Sequence, residues 1–503
     1  MKKGLIVICL MIITLTAFFY GVEVRAERSV DIALNFTLRN MDPHTRYGRQ
    51  AMATLNSIYE RLVFFNAEGE YVPALATDWE QKDPHTWVFN LREGVKFHDG
   101  TSFTAKDVSF SYQRARTLTI SELQFAANRI ESIDIIDDYT IEITTINPEP
   151  VFLYYINRLP VMSEEWTKDR DQEYIANNAN GTGPYQFVDW QSDIHLKMKA
   201  YEGYWGEKPE INEVTFRPIP EHSTRAAELL TNNADLISTT HEYVSGIASN
   251  DDLKIIEAPV GRIIYLGINA AEGPLSSQKV RQAMTTAINR ASIVERVLGG
   301  MAVPTGQIIN ENFEGYNPEI EAPEFDPEGA RDLLAEAGYP DGFELEFHFP
   351  SGHYIKDHET GLAVASYLEQ IGISVNSRSR PWSALASDIG QQQVDFNMIG
   401  WVPSPIIAPF TGTILSRDDD KGHGAWNTGY SNNQVDDLFE QAVFAADEKE
   451  RERLWMEANR LAMEEVAVIP LHQLYEVFGA HEDLNVTVGS GGEIYARYLS
   501  WNR

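Results

Sequence analysis

The sequence has a single cysteine in 503 residues. That residue, Cys9, lies inside an apolar run near the N-terminus. Without other thiols the chain cannot build a disulfide framework, and loss of the segment that holds Cys9 would leave no thiol at all. Ile8 and Leu10 flank Cys9 and do not form the small-residue box of a lipoprotein signal, so no lipid anchor is expected. Positive charge is scarce too: 41 Lys and Arg stand against 74 Asp and Glu, a formal net charge of −33. So acidic a surface repels phosphate backbones and anionic lipid, which excludes nucleic acid and membrane surfaces as partners. It does not identify a substrate, because a solubility adaptation explains the charge equally well. Signatures of catalysis are missing as well. There is no G-x-S-x-G elbow, no H-E-x-x-H and no Walker loop, and no repeat or low-complexity tract.

What is present begins with Lys2 and Lys3, an apolar run from Leu5 to Tyr20, and the small-residue pattern Val24-Arg25-Ala26. This is the layout of an export signal cleaved after Ala26, and it points to a Gram-negative periplasm. Losing residues 1–26 removes three cations and one anion, leaving a charge of about −35. The rest carries no other run of membrane-spanning length. It is long enough for two or three domains.

Strand-like and helix-like segments alternate along it. Ser29 to Phe36 predicts a strand, and Arg49 to Arg61 a helix feeding Leu62 to Phe65. Two hairpins follow: Ala76 to Gln81 with Thr86 to Leu91, and Ile130 to Ile136 with Thr140 to Thr145. Between them, Thr104 with Asp107 three residues on is a capping box. This stretch predicts an antiparallel-rich subdomain. The second half changes character. A helix capped by Asp326-Pro327 and stopped at Gly338 leads to strand Phe343 to Phe349, helix Glu359 to Ile371 and strand Ile373 to Ser379. Helix Ser383 to Gln391 and strand Val394 to Ile399 come next. Strands and helices at this spacing imply βαβ units on a largely parallel sheet. One long helical tail, Asn433 to Glu465, precedes Val466 to Leu471.

Candidate chemical groups are few. His348, His353 and His358 are spaced five apart across Pro350-Ser351-Gly352, which predicts solvated loop histidines rather than a metal site. Asp418-Asp419-Asp420 lacks the ligand alternation and closing glutamate of a calcium loop. Gly181-Thr182-Gly183-Pro184 and Gly489-Ser490-Gly491-Gly492 lack the Lys-Ser/Thr that holds a phosphate. Neither a metal nor a cofactor is expected. Ten tryptophans and 22 tyrosines suit a protein that buries a ligand against flat rings, with core packing claiming most of them.

Several blocks carry a resemblance. They are Asn40-Met41-Asp42-Pro43-His44, then Ile58-Tyr59-Glu60-Arg61-Leu62 and Leu75-Ala76-Thr77-Asp78-Trp79. Phe89-Asn90-Leu91-Arg92-Glu93-Gly94-Val95-Lys96-Phe97-His98-Asp99-Gly100 follows, with Gly181-Thr182-Gly183-Pro184-Tyr185 and Tyr204-Trp205-Gly206 further on. Leu266-Gly267-Ile268-Asn269, Val280-Arg281-Gln282-Ala283 and Ile399-Gly400-Trp401 complete the set. In order and spacing, across the whole mature chain, they resemble the family 5 extracellular solute-binding proteins of ABC importers, the peptide, opine and nickel class. Most of these residues are expected to be turns and packing.

The resemblance implies an α/β, two-lobed periplasmic-binding-protein fold with two crossover strands, near Ile263 to Asn269 and Ile469 to Val477, and an inserted antiparallel-rich subdomain. Lobe I would comprise 27–60, 181–268 and 475–503, the insert 61–180, and lobe II 269–474. It implies a non-enzymatic, monomeric protein that captures a short peptide or peptide-like small molecule between its lobes and delivers it to an inner-membrane permease. An opine, oligosaccharide or chelated metal is the alternative ligand, and an enzyme or chaperone on the same scaffold the alternative class. The segment after His44 nominates Arg46 and Tyr47 as pocket residues, the crossover Arg262 and Tyr265, and the block at Gly400 nominates Trp401. Similar peptide binders place an aspartate three residues beyond that tryptophan, against the ligand's α-amino group. Here that position is Ser404, which disfavours a free, protonated N-terminus. Arg378, Arg380 and Trp382 lie at a strand end facing the same boundary, where an arginine could hold a carboxylate. Asn427 and Tyr430 follow the cleft segment.

Overall fold

The computed structural model describes residues 29–45, 48–66, 70–149, 151–311, 313–401, 415, 429–445, 447–489 and 491–502. The expected export segment, the Asp418-Asp419-Asp420 turn, Arg46, Tyr47, Ser404 and Asn427 lie outside these residues.

Two long strands organise the molecule, Leu253–Ile268 and Val468–His481. They pair antiparallel along their length, with Leu253 opposite His481 and Gly267 opposite Val468, and the register shifts between Pro259 and Ile263. Pro259 explains the break: without an N–H it cannot donate to a ladder on both sides. On one side of the shift, Val468–His481 pairs with Leu236–Thr239, and the sheet continues through Ser29–Leu34, Glu213–Pro218, His195–Ala200 and Tyr185–Gln191. On the other side, Leu253–Ile268 pairs with Phe396–Trp401, and the sheet continues through Glu344–Pro350 to Ser374–Arg380. Both expected crossovers therefore exist, as longer strands than the sequence suggested.

Each half has its own apolar core. Val30, Ile32, Val214, Phe216 and Leu236 centre one; Leu266, Val280, Met284, Phe347, Val364 and Phe396 centre the other. The second half contains the expected parallel unit: Glu344–Pro350 and Ser374–Arg380 pair in parallel across helix Asp357–Gln370. Both predicted hairpins form and join in one four-stranded antiparallel sheet, ordered Ala76–Asp83, Thr86–Leu91, Thr140–Thr145, Ile130–Asp137. Thr104 and Asp107 make the expected capping box at helix Ala105–Thr117.

Two helix expectations are corrected. The first helix ends at Leu55, not Arg61, because Ser57 and Ile58 carbonyls turn outward to accept from Tyr185 and Gly183. A Cβ at Gly183 would meet Ser57 O at 2.6 Å and one at Gly181 would meet Ile58 O at 2.0 Å. The Gly181-Thr182-Gly183 block is thus a close-approach turn. The long tail is two helices, Asn433–Phe444 and Glu448–Glu464. Ala445 is extended, and Asp447 starts the second by accepting from the Glu450 N–H. Among the described residues no helix is long and apolar enough to cross a membrane.

Candidate functional site

The register shift between the long strands brings sequence nominees together. Just past it, Ile263 pairs with Trp401 and Ile264 with Gly400, so Arg262 and Trp401 sit at one junction of the sheet. Gly400 is there for space: a Cβ would lie 2.9 Å from Ile264 Cδ1 and from the Tyr354 ring. Its absence lets Tyr354 lie against the strand, with the phenol hydroxyl 3.4 Å from the Gly400 carbonyl. The Arg262 guanidinium stands over the same ring, 5.4 Å from its centre.

Tyr354 is held in place by a buried carboxylate. Asp357 accepts from the backbone N–H groups of Gly352 (2.9 Å), His353 (2.8 Å), Tyr354 (2.9 Å) and His358 (2.8 Å). Charge-assisted bonds of this kind are about twice as strong as neutral ones, so the loop 351–356 is clamped. Gly352 and Lys356 take the left-handed conformations that the tight path needs. Clamped so, His353 stacks flat on Trp382, with ring centres 4.5 Å apart and planes at 3°. Tyr354 meets Trp382 edge-on at 5.8 Å. Burial, then the Arg262 charge, lowers the His353 pKa, favouring a neutral imidazole. The result is a shelf of flat rings with one guanidinium beside it. Such a surface can take an apolar or planar group on the rings and a carboxylate on the arginine.

The remaining nominees are placed differently. Tyr265 is 1% exposed, and its hydroxyl has no hydrogen-bond partner among the described residues. Tyr430 is buried and donates to Glu465 Oε2 at 2.8 Å. Arg380 is engaged by Asp388 at 2.6 Å and by His348 at 3.2 Å, while Arg378 lies 3.8 Å from Glu346. These pairs occupy the arginines at the strand end. The three histidines are also used separately: His348 with Glu346, His353 with Trp382, and His358 with Ser379 at 3.0 Å. Among the described residues no group of three His, Cys, Asp or Glu is placed to hold a metal. The structure therefore gathers Arg262, Trp382 and Trp401 and adds His353 and Tyr354, which were not nominated as ligand contacts. Gly352 followed five residues later by the helix-starting Asp357 was the available signal.

The other resemblance blocks are scaffolding. Asp42 accepts both Arg114 nitrogens (3.0 and 2.6 Å) and the Gln172 amide (2.6 Å). His44 donates from Nε2 to the Pro160 carbonyl and accepts from Arg114 at Nδ1, each at 3.0 Å. Glu60 accepts from Tyr204 (2.8 Å) and Trp205 (2.7 Å) and stands 3.6 Å from Arg497.

Comparison with known proteins places this geometry. The family model described as bacterial extracellular solute-binding proteins, family 5 Middle, matches residues 70–422. The glutathione-binding protein GsiB of Salmonella paratyphi A is 29% identical over 469 residues, 89% of each chain. The ABC transporter-associated periplasmic binding protein DppA from Helicobacter pylori, solved with the peptide STSA, is 25% identical. Its TM-score is 0.74, covering 94% of this chain and 98% of that one. HbpA2 from Haemophilus parasuis is 23% identical with a TM-score of 0.87, covering 94% and 99%. The fold is that of the two-lobed periplasmic binding proteins, with the two long strands as its crossovers. The chain belongs to the family 5 bacterial extracellular solute-binding proteins.

Proposed function

We propose that this protein is the periplasmic receptor of an ABC importer and captures a short peptide or peptide-like molecule between its two lobes. The observation that carries the reading is the shelf of His353, Tyr354 and Trp382 beside Arg262 at the strand junction. Rings and a guanidinium together match a ligand with side chains and a carboxylate. The glutathione-binding and peptide-bound relatives support the same ligand class. Lobe I then comprises 27–60, 181–268 and 475–503, the insert 61–180 and lobe II 269–474. The protein works as a monomer that binds and releases its ligand unchanged. Closure of the lobes gives the ligand contacts that exist only in the closed form, so binding shifts the population that the permease meets. Arg46, Tyr47, Ser404 and Asn427 complete the pocket in this reading. Native mass spectrometry of protein purified without refolding tests it. A retained mass that fragments into amino acids supports the proposal; a retained sugar or metal complex overturns the ligand class.

A further inference from the structure

The two halves of the molecule also meet away from the crossover strands. Helix His241–Ala248 follows the carboxyl end of strand Leu236–Thr239, and its Ile247 packs with Ala33 and Ile237 of the first half. Its first residue reaches the second half. The His241 ring lies on Gly299: a Cβ at that glycine would stand 2.5 Å from Nε2 and 2.7 Å from Cδ2. The next residue, Glu242, has its carboxylate 3.9 Å from the Lys356 ammonium, which Glu359 also approaches at 3.4 Å.

The receiving side has an unusual backbone. Ile293–Val297 is a π-helical turn, and the Leu298 N–H donates to the Ile293 carbonyl five residues back at 3.1 Å. Such turns are rare and gather at functional sites. This one ends in Gly299 and Gly300, both left-handed with φ of 62° and 86°, and the missing side chain at Gly299 is what admits the His241 ring. Ile293 and Val294 fix the turn in the second core. It packs on helix Asp357–Gln370, whose Asp357 clamps the loop that carries Tyr354 and Lys356. That loop follows the carboxyl end of strand Glu344–Pro350, and open α/β sheets receive ligands outside the carboxyl ends of their strands. His241, Glu242, Gly299 and Lys356 are all exposed. Unlike the buried knot at Glu60, a wet contact of this kind forms and breaks at little cost.

We propose that His241 and Glu242 are positioning residues for capture, docking on the Gly299-Gly300 turn and Lys356 when a molecule is held between the lobes and leaving them when the lobes open. The inference rests on the two-lobed reading of the function. It assigns the closing contact to the helix that touches both the π turn and the loop of the shelf, so that occupancy of the shelf and closure are coupled through helix Asp357–Gln370.

The chain from Glu27 onward contains no cysteine, so His241→Cys/Gly299→Cys introduces the only two thiols. Dibromobimane, which links two thiols only when they are adjacent, then reports the contact. Three preparations are compared: protein as purified, protein stripped by unfolding and refolding, and stripped protein with a mixture of cysteine-free di- to tetrapeptides. Bridging should be about tenfold slower in the stripped protein than as purified, and peptides should restore it. Fast bridging as purified that peptides fail to restore keeps the contact and overturns the peptide reading instead. Equal rates in all three, whether fast or absent, overturn the closing contact. Because a side chain at Gly299 is strained, charge reversal supplies a second reading. Glu242→Lys should raise the half-saturating concentration of the peptide mixture about three- to fivefold, followed by tryptophan fluorescence, and Glu242→Lys/Lys356→Glu should bring it back. A rise that the double variant does not reverse, or no rise at all, overturns the part assigned to Glu242.

Discussion

Two clusters of arginine and aromatic rings stand in the two halves of the molecule and are built in opposite ways. Around Glu60, Tyr204, Trp205 and Arg497 satisfy one another in a buried knot. Around Asp357, the carboxylate is consumed by backbone N–H groups, and the loop it clamps sets His353 flat on Trp382 and Tyr354 under the Arg262 guanidinium. Similar residue types thus serve as scaffold in one place and, in the proposed function, as a binding surface in the other. What separates them is where the carboxylate is spent: on side chains in the knot, on the backbone beneath the shelf.

The sharpest way to break the comparison is to remove each carboxylate. Glu60→Ala leaves the nearly buried Arg497 uncompensated, and the folding free energy should fall by about 3–5 kcal/mol, read from denaturant midpoints, with ligand affinity unchanged. Asp357→Ala should cost about 2–3 kcal/mol of stability and also abolish tight binding, because the loop that presents the shelf is released. Equal effects of the two variants on affinity would erase the distinction.

Acid titration probes the scaffold side. Burial first, then the Arg114 charge, lowers the His44 pKa to about 4, and both ring nitrogens are committed in the neutral form. The unfolded chain takes up this proton near its ordinary pKa of about 6.5, the folded chain only near 4. This contribution is therefore complete above about pH 6.5 and is lost as the pH falls toward 4, by up to about 3 kcal/mol. His44→Asn should flatten that part of the stability–pH curve, and an unaltered slope would show that His44 does not contribute.

On the shelf side the expected effects are smaller and fall on binding. Trp401→Ala or Trp382→Ala should weaken the ligand by about 2 kcal/mol, the scale of a buried aromatic anchor, and ligand should change tryptophan fluorescence in the wild type. Ser404→Asp should improve binding of unblocked di- and tripeptides by about 1–2 kcal/mol, because an ammonium then gains a charge-assisted bond. No gain would show that another acid already faces the amine. One carboxylate of the same lobe, Asp388, is already paired with Arg380 at 2.6 Å.

Much of this was legible in the sequence because the signals were local. Period-two alternation and turn residues set both hairpins, and Asp326-Pro327 and Thr104 with Asp107 set helix starts, which depend only on neighbours in the chain. The helix at Arg49 and the tail after Asn433 were overrun, because tertiary partners decide where they stop. Tyr185 and Gly183 claim the carbonyls that would have continued the first. The site was legible only as far as the motif blocks reached. Arg262, Trp382 and Trp401 were nominated from the sequence and lie around one strand junction, whereas His353 and Tyr354 owe their position to a carboxylate that binds backbone, signalled only by Gly352 five residues before Asp357. Arg378 and Arg380 looked available because their partners, Glu346 and Asp388, come from a neighbouring strand and the following helix.

The central claim, that the shelf receives a peptide-like ligand, is tested most directly by calorimetric titration of ligand-free protein. Di- to tetrapeptides and glutathione should be compared with oligosaccharides, in wild type and Trp382→Ala. Saturable binding of one peptide per chain, weakened in Trp382→Ala and absent for sugars, is the predicted result. Peptide binding unaffected by Trp382→Ala, or saturable binding of sugars alone, would contradict the account.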